Sequence, residues 1–450
     1  MKINRSIAIA IVLSFATTMH AQYKVLVNFD DQTIAPIEPA LIAQSRGGYL
    51  LSTAPPRSQL NGVAFRVTTS GALTILHQFD TEPVGGLILG RNGEFYGTTY
   101  FGGTNNAGTF FQMTPDGIIK TLHNFTQGVE GNPQAAPVQS LYGNFYGTTY
   151  GNDNNPNTDP GAVYKIDTSG NYTRLHTFTS TTDGANPITP LVQDPTNFWF
   201  YGTTAHGGPN LVGTIFRLNS KGDFEVLFNF DYGHGAYPFG MIQANDGNFY
   251  GVTYFGGSAN QGVVFKMTPT RQVTVLHSFT GGSDGGGPLG GFLQASDGNL
   301  YGTASAGGTS GGGVLFRIST TGDFTVLHNF VVKTGSAPVA LVQHTNGFLY
   351  GETNNGGTRG GGVFFRYDAG LEPFVSFLDS YGRVGDTVQL LGDNFTTDSQ
   401  VFFNGVPAQV TEVENTYMRV VVPEGATSGP ITVTTTKGTL SSNKTFVVRP

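Results

Sequence analysis

A seven-bladed β-propeller of four-stranded blades closed by its N-terminal strand, followed by an Ig-like β-sandwich, is the all-β fold that this 450-residue sequence predicts. Three observations carry it. The pair Tyr-Gly recurs at Tyr96-Gly97, Tyr146-Gly147, Tyr201-Gly202, Tyr250-Gly251, Tyr301-Gly302 and Tyr350-Gly351, with a degenerate first copy at Tyr49. Leu-x-x-Phe runs through Leu26/Phe29, Leu76/Phe79, Leu122/Phe125, Leu175/Phe178, Leu227/Phe230, Leu276/Phe279 and Leu327/Phe330. An aromatic usually followed by a base appears at Phe65-Arg66, Phe111-Gln112, Tyr164-Lys165, Phe216-Arg217, Phe265-Lys266, Phe316-Arg317 and Phe365-Arg366. Tyr49 to Tyr350 and Phe29 to Phe330 each span 301 residues over six intervals, about 50 per repeat. A fixed period of that size marks a repeat architecture.

In chain order, residues 1–21 come first and read as a secretory signal peptide. Lys2 and Arg5 precede an apolar run from Ile7 to Ala16, which is followed by a polar stretch and a cleavage site expected after Ala21. The apolar run is about half of what a membrane-spanning helix needs. Residues 22–370 then hold the seven repeats. Each has four short apolar runs separated by turn residues. In the fifth these are Phe239–Ala244, Asn248–Thr253, Gly262–Met267 and Gln272–Phe279, with Gly and Asx at the tips where hairpins need positive φ. Four antiparallel strands repeated seven times suit a propeller, which removes exposed edges by radial closure. The seventh repeat, Val339 to Tyr367, lacks an outer strand, whereas Tyr23–Phe29 is a strand without a blade. The N-terminal strand is therefore expected to pair with Gly362–Tyr367 and latch the ring. Residues 371–450 change style to short alternating strands, which suits a small sandwich. The linker Asp368–Glu372 is short enough that the two parts should touch.

Composition excludes several function classes. The 65 glycines follow no Gly-X-Y period, and the 35 phenylalanines argue against disorder. No Cys is present, which removes disulfides, thiol nucleophiles and Cys-type zinc sites. A net charge of −7 without a basic block makes nucleic acid a poor partner. No cofactor is expected, and a monomer without a transmembrane anchor is.

Candidate residues fall into five groups. Tyr100, Phe101, Tyr150, His206, Tyr254 and Phe255 lie at the Gly-Gly loops, and Tyr232, His234 and Tyr237 lie in an inter-blade connection on the same predicted face. Flat rings with hydroxyls are what a carbohydrate or protein platform uses. Gln44, Gln139, Gln193, Gln243, Gln294 and Gln343, with Leu89 in the second blade, form a ring on the innermost strand. Their amides either line the central channel or tie neighbouring blades. His77, His123, His176, His277 and His328 share one outer-strand position, too far apart to converge on one metal ion and better read as rings packed beside Phe. Asp153, Asn155, Asn157 and Asp159 match the first half of a Ca²⁺ loop, but Thr158 replaces its Gly and Tyr164 its final Glu. Glu82, Glu130, Asp183, Asp231 and Asp284 lie on inter-blade connections, where they would serve a lyase or hydrolase if acids met across blades; turn capping explains them otherwise.

The unit Leu-x-Gln, Asp-Gly-Asn-x-Tyr-Gly-Thr, Gly-Gly, Gly-x-x-Phe-Lys, Leu-His-x-Phe, as in Phe292–Phe330, resembles the bacterial choice-of-anchor tandem repeat (GloVer) family of exported proteins. The segment Gly385-Asp386-Thr387-Val388, Gly392-Asp393-Asn394-Phe395, Val401–Gly405 and Pro423–Pro430 resembles an IPT/TIG domain, an Ig-like module of cell-surface proteins. Anchoring tails vary in the repeat family, and the chain departs from that pattern, since no apolar tail follows the sandwich. The resemblance implies no reaction. The expected function is an exported, non-enzymatic binding or scaffold protein that recognises a carbohydrate or cell-surface protein on the loop face. The rivals are a secreted polysaccharide lyase or glycoside hydrolase, and a structural cell-surface spacer.

Overall fold

The structure, a computed structural model, describes residues 22–30, 34, 41–55, 62–128, 130–140, 142–151 and 159–449. The leader segment 1–21 and the loop positions Asp153, Asn155 and Asn157 lie outside the described residues. Seven four-stranded antiparallel sheets form the ring. Blade 4 is typical, with Val192–Gln193 innermost, then Phe200–Thr204, Thr214–Leu218 and Phe224–Asn229 outermost. Among the described residues there is no α-helix, only a 3-10 turn at Val332–Thr334.

The repeating motifs are one packing solution seen from several strands. In blade 4, Gly202 pairs with Phe216 across the second and third strands, and a Cβ on Gly202 would lie 2.5 Å from the Phe216 ring. The ring lies over the glycine, which leaves it the room a larger side chain would take. The first copy shows the register. Ser52, not a glycine, pairs with Phe65, which makes Leu51-Ser52 the equivalent of Tyr-Gly, two residues after Tyr49.

The Leu of Leu-x-x-Phe has a separate role. In blade 4 the third strand pairs Ile215 with Phe228 and Phe216 with Val226, leaving Leu227 as an extra, bulged residue. The same skip occurs at Leu76, Leu122, Leu175, Leu276 and Leu327. A bulge sharpens the local twist of an edge strand and re-aims its side chains. These leucines pack in the apolar clusters between blades, Leu276 for example in the cluster that holds Val264, Phe279 and Phe316.

Closure follows the predicted latch. Tyr23–Asp30 is the outer strand of blade 7, antiparallel to Gly360–Tyr367, with Tyr23 opposite Tyr367 and a bulge at Leu26 like those of the other blades. Phe29 is buried against Phe65 of blade 1, and the Tyr23 hydroxyl donates to the Thr334 carbonyl at 2.7 Å.

The C-terminal part is a seven-stranded sheet that curls on itself, with a parallel pair formed by Tyr381–Arg383 and Val447–Arg449. The long strand Val406–Glu414 pairs with Gln400–Phe403 through Ala408 and with Tyr417–Val421 from Gln409 onward. One strand thus passes from one layer to the other, which joins the two halves of the sandwich as a single sheet. Val388, Leu390, Phe403, Met418, Val433 and Phe446 fill the space between the layers.

Candidate functional site

The two faces of the ring differ. On the turn face, the connections between first and second strands meet the C-terminal domain. Arg91 forms an ion pair with the buried Asp379, and the Gln389 amide donates to the Arg91 carbonyl at 2.6 Å. Arg46 donates to Gln389 at 3.0 Å and its guanidinium stacks over the Tyr417 ring. Asn245 of blade 5 donates to the Asn443 carbonyl at 2.6 Å, and Arg449 donates to the Pro195 and Thr196 carbonyls of blade 4. Burial pushes the Asp379 carboxyl up to about 6 even with Arg91 beside it.

The glutamine ring lies at this end, and its amides reach across seams. Gln44 and Thr345 of blades 1 and 7 exchange two hydrogen bonds, at 2.8 and 3.1 Å. Gln139 accepts from the Arg91 amide, Gln294 from Asn245 and Gln343 from Ser296, each at 2.9–3.0 Å. Gln243 donates to Asp194 at 3.1 Å, and Gln193 accepts from the Tyr381 hydroxyl of the C-terminal domain. Each glutamine side chain therefore joins a neighbouring element, as buried amides require.

Along the ring axis runs a cavity of about 540 Å³. Its wall is apolar, with Ile188, Val192, Phe239, Leu289, Phe292 and Leu341 drawn from blades 4 to 7. Below it, a second cavity of about 220 Å³ shares Leu41 and Pro190 with the first and is bounded by Leu378 and Asp379 of the C-terminal domain. The C-terminal domain thus floors the channel.

The loop face carries the aromatics. Tyr100 makes ring contacts with Phe101 and Tyr150, at 4.6 and 6.2 Å. A second chain of contacts runs from His206 to Tyr237 at 4.7 Å, on to Phe255 at 5.5 Å and then to Tyr254 at 4.5 Å. Tyr150, His206 and Tyr237 also line the axial cavity. Phe101, Phe255 and Tyr232 remain 43%, 38% and 55% exposed, with Tyr232 outside both chains of contact.

Histidines and acids have local partners. His176 and His277 bond Asp183 and Asp284 at 3.0 and 3.1 Å, and His234 bonds Asp231 at 2.9 Å. Asp183 and Asp284 also accept the amides of Thr179 and Thr280, and Glu130 accepts from the Thr126 hydroxyl. The backbone carbonyl of Glu82 accepts from the Tyr100 amide. Repeat-position histidines stack on the aromatic that opens the next blade's outer strand: His123 on Tyr172, His176 on Phe224, His277 on Phe324 and His328 on Tyr23. Val27 and Phe228 hold that position where the next strand opens with Leu73 or Val273. Among the described residues no three His, Asp or Glu side chains gather where they could hold a metal ion. Burial raises the Asp159 carboxyl above its ordinary range.

The sequence matches the Gloeobacter/Verrucomicrobia repeat over residues 12–204, 82–294 and 199–398, three overlapping stretches that together cover most of the chain. The chain belongs to this family. Residues 373–448 of the repeat protein match the IPT/TIG domain. No curated protein matches the chain in sequence. Among solved structures, a fungal alcohol oxidase of the AA5 family, in complex with copper, is similar at a TM-score of 0.52 and 12% identity, covering 93% of this chain and 98% of that one. The extracellular domain of a hybrid two-component system from B. thetaiotaomicron is similar at 0.51 and 9%, covering 95% and 58%. At these identities the likeness is one of fold. No helix among the described residues is long and apolar enough to cross a membrane.

Sequence reasoning expected the two parts to touch but did not find the residues of their interface, nor the apolar character of the channel. The second had a signal. In five blades two apolar residues precede the ring glutamine, as in Leu191-Val192-Gln193 and Phe292-Leu293-Gln294, so the strand nearest the axis was apolar before its glutamine. The interface had none, because Arg46, Arg91 and Asp379 occupy turn positions where a charged residue ordinarily faces water.

Proposed function

We propose that this repeat protein is an exported, non-enzymatic binding module that presents its loop face to a carbohydrate or another surface partner. One observation carries the reading. Two chains of aromatic contacts, Phe101–Tyr100–Tyr150 and His206–Tyr237–Phe255–Tyr254, border the mouth of the channel, while the opposite face is covered by the C-terminal domain. Phe101 and Phe255, the exposed members of these chains, give contact area at low entropic cost, which suits stacking on sugar faces. Export is supported by Lys2 and Arg5 ahead of the apolar run Ile7–Ala16. The acids that a lyase or hydrolase reading would use are engaged with their own loops, Asp183 with His176 and Thr179, and Asp284 with His277 and Thr280.

The test is a glycan array with residues 22–450, followed by analysis of the bound sugar. Recovery of intact sugar, with at least tenfold weaker binding by Phe101→Ala or Phe255→Ala, is the expected result. Cleaved product would replace this reading with an enzymatic one, and no binding to any glycan or cell surface would leave a spacer.

A further inference from the structure

The axial cavity suggests a second ligand site beneath the ring platform, with which it shares Tyr150, His206 and Tyr237 but not the outer rings Phe101 and Phe255. Its volume of about 540 Å³ lies within the range of pockets that enclose drug-sized molecules. Six side chains define the chemistry of the wall: Ile188, Val192, Phe239, Leu289, Phe292 and Leu341. Among the described residues no Asp, Glu, Lys or Arg lines the cavity, and the Arg91–Asp379 pair lies below, at the smaller chamber. Polar groups are confined to a few positions, and Gln134, Tyr150, His206 and Tyr237 sit together on the side of blades 3 to 5. An apolar enclosure with a few polar groups at one end is the ordinary form of a small-molecule site.

An apolar wall of this kind favours an apolar occupant over water, because water placed among Ile, Val, Leu and Phe side chains finds too few hydrogen-bond partners. Five of the seven innermost strands carry a glutamine that bonds across a seam, a sixth, Gln193, bonds Tyr381 of the C-terminal domain, and the apolar positions ahead of the glutamines supply the wall. The two ends are unlike. The C-terminal domain closes the lower one with Leu378 and Asp379, which leaves the loop face as the way in.

We propose that the channel binds a neutral, predominantly apolar small molecule, which enters from the loop face apolar end first and leaves its polar end among Gln134, Tyr150, His206 and Tyr237. Charge is excluded from the ligand because an ion in this wall would lose its hydration with no counter-charge to replace it. The site rests on the loop face being the entrance and not on the carbohydrate reading of its outer rings, so either can fail alone.

The probe is N-phenyl-1-naphthylamine, an uncharged dye whose emission rises and shifts to the blue in apolar surroundings. Titrated against residues 22–450, it should show saturable binding of one molecule per chain and raise the unfolding temperature. Val192→Trp and Leu289→Trp fill the wall from two different blades. Each should weaken dye binding at least tenfold while keeping the unfolding temperature of the dye-free protein, and Leu289→Phe narrows the same wall where a Trp variant does not fold. Sugars bound at the outer rings should leave the dye in place. Absence of saturable binding to the wild type, or equal binding by the filled variants, overturns the site. Displacement of the dye by sugar, with the filled variants still impaired, would instead make the channel part of the carbohydrate site and overturn its independence.

Discussion

Blade 7 and its seam with blade 1 differ from the other six blades in origin and in finish. Six blades take all four strands from consecutive sequence, whereas blade 7 borrows Tyr23–Asp30 from the other end of the chain. The second residue after the Tyr of Tyr-Gly shows the difference in finish. In blades 2 and 3, Thr98 and Thr148 donate across the seam to the Ala135 and Pro187 carbonyls, both at 3.3 Å. In blade 4, Thr203 shares a hydrogen bond with Thr189 at 3.1 Å, and blade 5 has the apolar Val252. Blade 7 has Glu352, fully buried between Ala340 and Phe364, with neither carboxyl oxygen hydrogen-bonded. The seam on which closure depends thus carries an unmatched carboxyl at this position, where blade 1 leaves only the smaller Thr53 hydroxyl without a partner. A repeat can supply identical blades, but it does not make the joint between its ends identical.

The largest effect should come from removing the borrowed strand. Deleting residues 22–30 strips the Gly360–Tyr367 edge and uncovers the cluster around Phe65 and Phe364 that Phe29 seals. It also removes the Tyr23 ring that stacks on His328 at 4.1 Å. Loss of one strand in twenty-eight would be minor at an ordinary terminus, but here it opens the ring. The expected outcome is loss of a cooperative thermal transition or a fall in Tm beyond 15 °C; a truncated protein that melts like the full chain would show that closure does not depend on this strand.

Next in size is Glu352. Burial lifts its carboxyl to about 8, against a smaller opposing pull from Ser52. In the unfolded chain the group ionises near its ordinary range, about 4.3. Between these values the unfolded chain gives up a proton that the folded chain keeps, so stability falls as pH rises from about 4.5 to about 8 and the loss is complete above that. At pH 7 the deficit is on the order of 3 kcal/mol. Glu352→Thr installs the residue of blades 2, 3 and 4 and should raise Tm at pH 8, leave it nearly unchanged at pH 4.5, and flatten the slope between. Denaturant unfolding at a series of pH values measures this. An equal gain at both ends would assign the effect to packing instead of charge.

How much of this could be read in the sequence follows from what a repeat records. Blade number, strand order and the latch were legible, because Leu-x-x-Phe is present seven times and Tyr23–Phe29 lacked a blade. The register of the first copy was not, since Leu51-Ser52 keeps neither Tyr nor Gly and Tyr49 lies two residues away. The histidine positions were legible as structural, and four of the five stack on an aromatic one blade ahead, while His77, where the next outer strand opens with Ile119, makes its ring contact with Phe79 of its own blade. Glu352 was hidden for the opposite reason. A single departure from Thr within one copy is visible in the alignment of repeats, but only the structure shows that the carboxyl is fully buried without a hydrogen-bond partner. The candidate site was legible as a set of rings on one face and not as a mouth, since the apolar channel beneath depends on how far seven inner strands stand apart.

A smaller effect, of opposite sign in pH, is expected at the latch itself. His328 is stacked on Tyr23, its Nε2 has no partner, and burial lowers its imidazole to about 4. The unfolded chain takes up this proton near pH 6.5 and the folded chain does not, so stability is lost as pH falls from about 6.5 towards 4. Since the ring is only partly shielded, the loss at pH 5 is about 1 kcal/mol. His328→Phe, the choice already present at Phe228, should remove that acid-side decline and leave stability at pH 8 within about 0.5 kcal/mol.

The smallest effects on stability belong to the loop face, and their smallness is informative. Phe101 and Phe255 are 43% and 38% exposed and contact other rings only at the rim, Phe101 with Tyr100 and Phe255 with Tyr237 and Tyr254. Truncating a buried ring such as Phe365 typically costs about 3–5 kcal/mol, because a cavity is left and apolar contacts are lost. A half-exposed ring leaves no enclosed cavity, so Phe101→Ala and Phe255→Ala should each shift unfolding by less than about 1 kcal/mol. If the rings are held for binding, the same variants weaken sugar capture at least tenfold while Tm stays fixed. If they are loop packing alone, Tm and binding move together or neither moves. Measuring both on one preparation separates the seam, where buried aromatic rings hold the structure together, from the mouth, where Phe101 and Phe255 are half exposed and add little to stability.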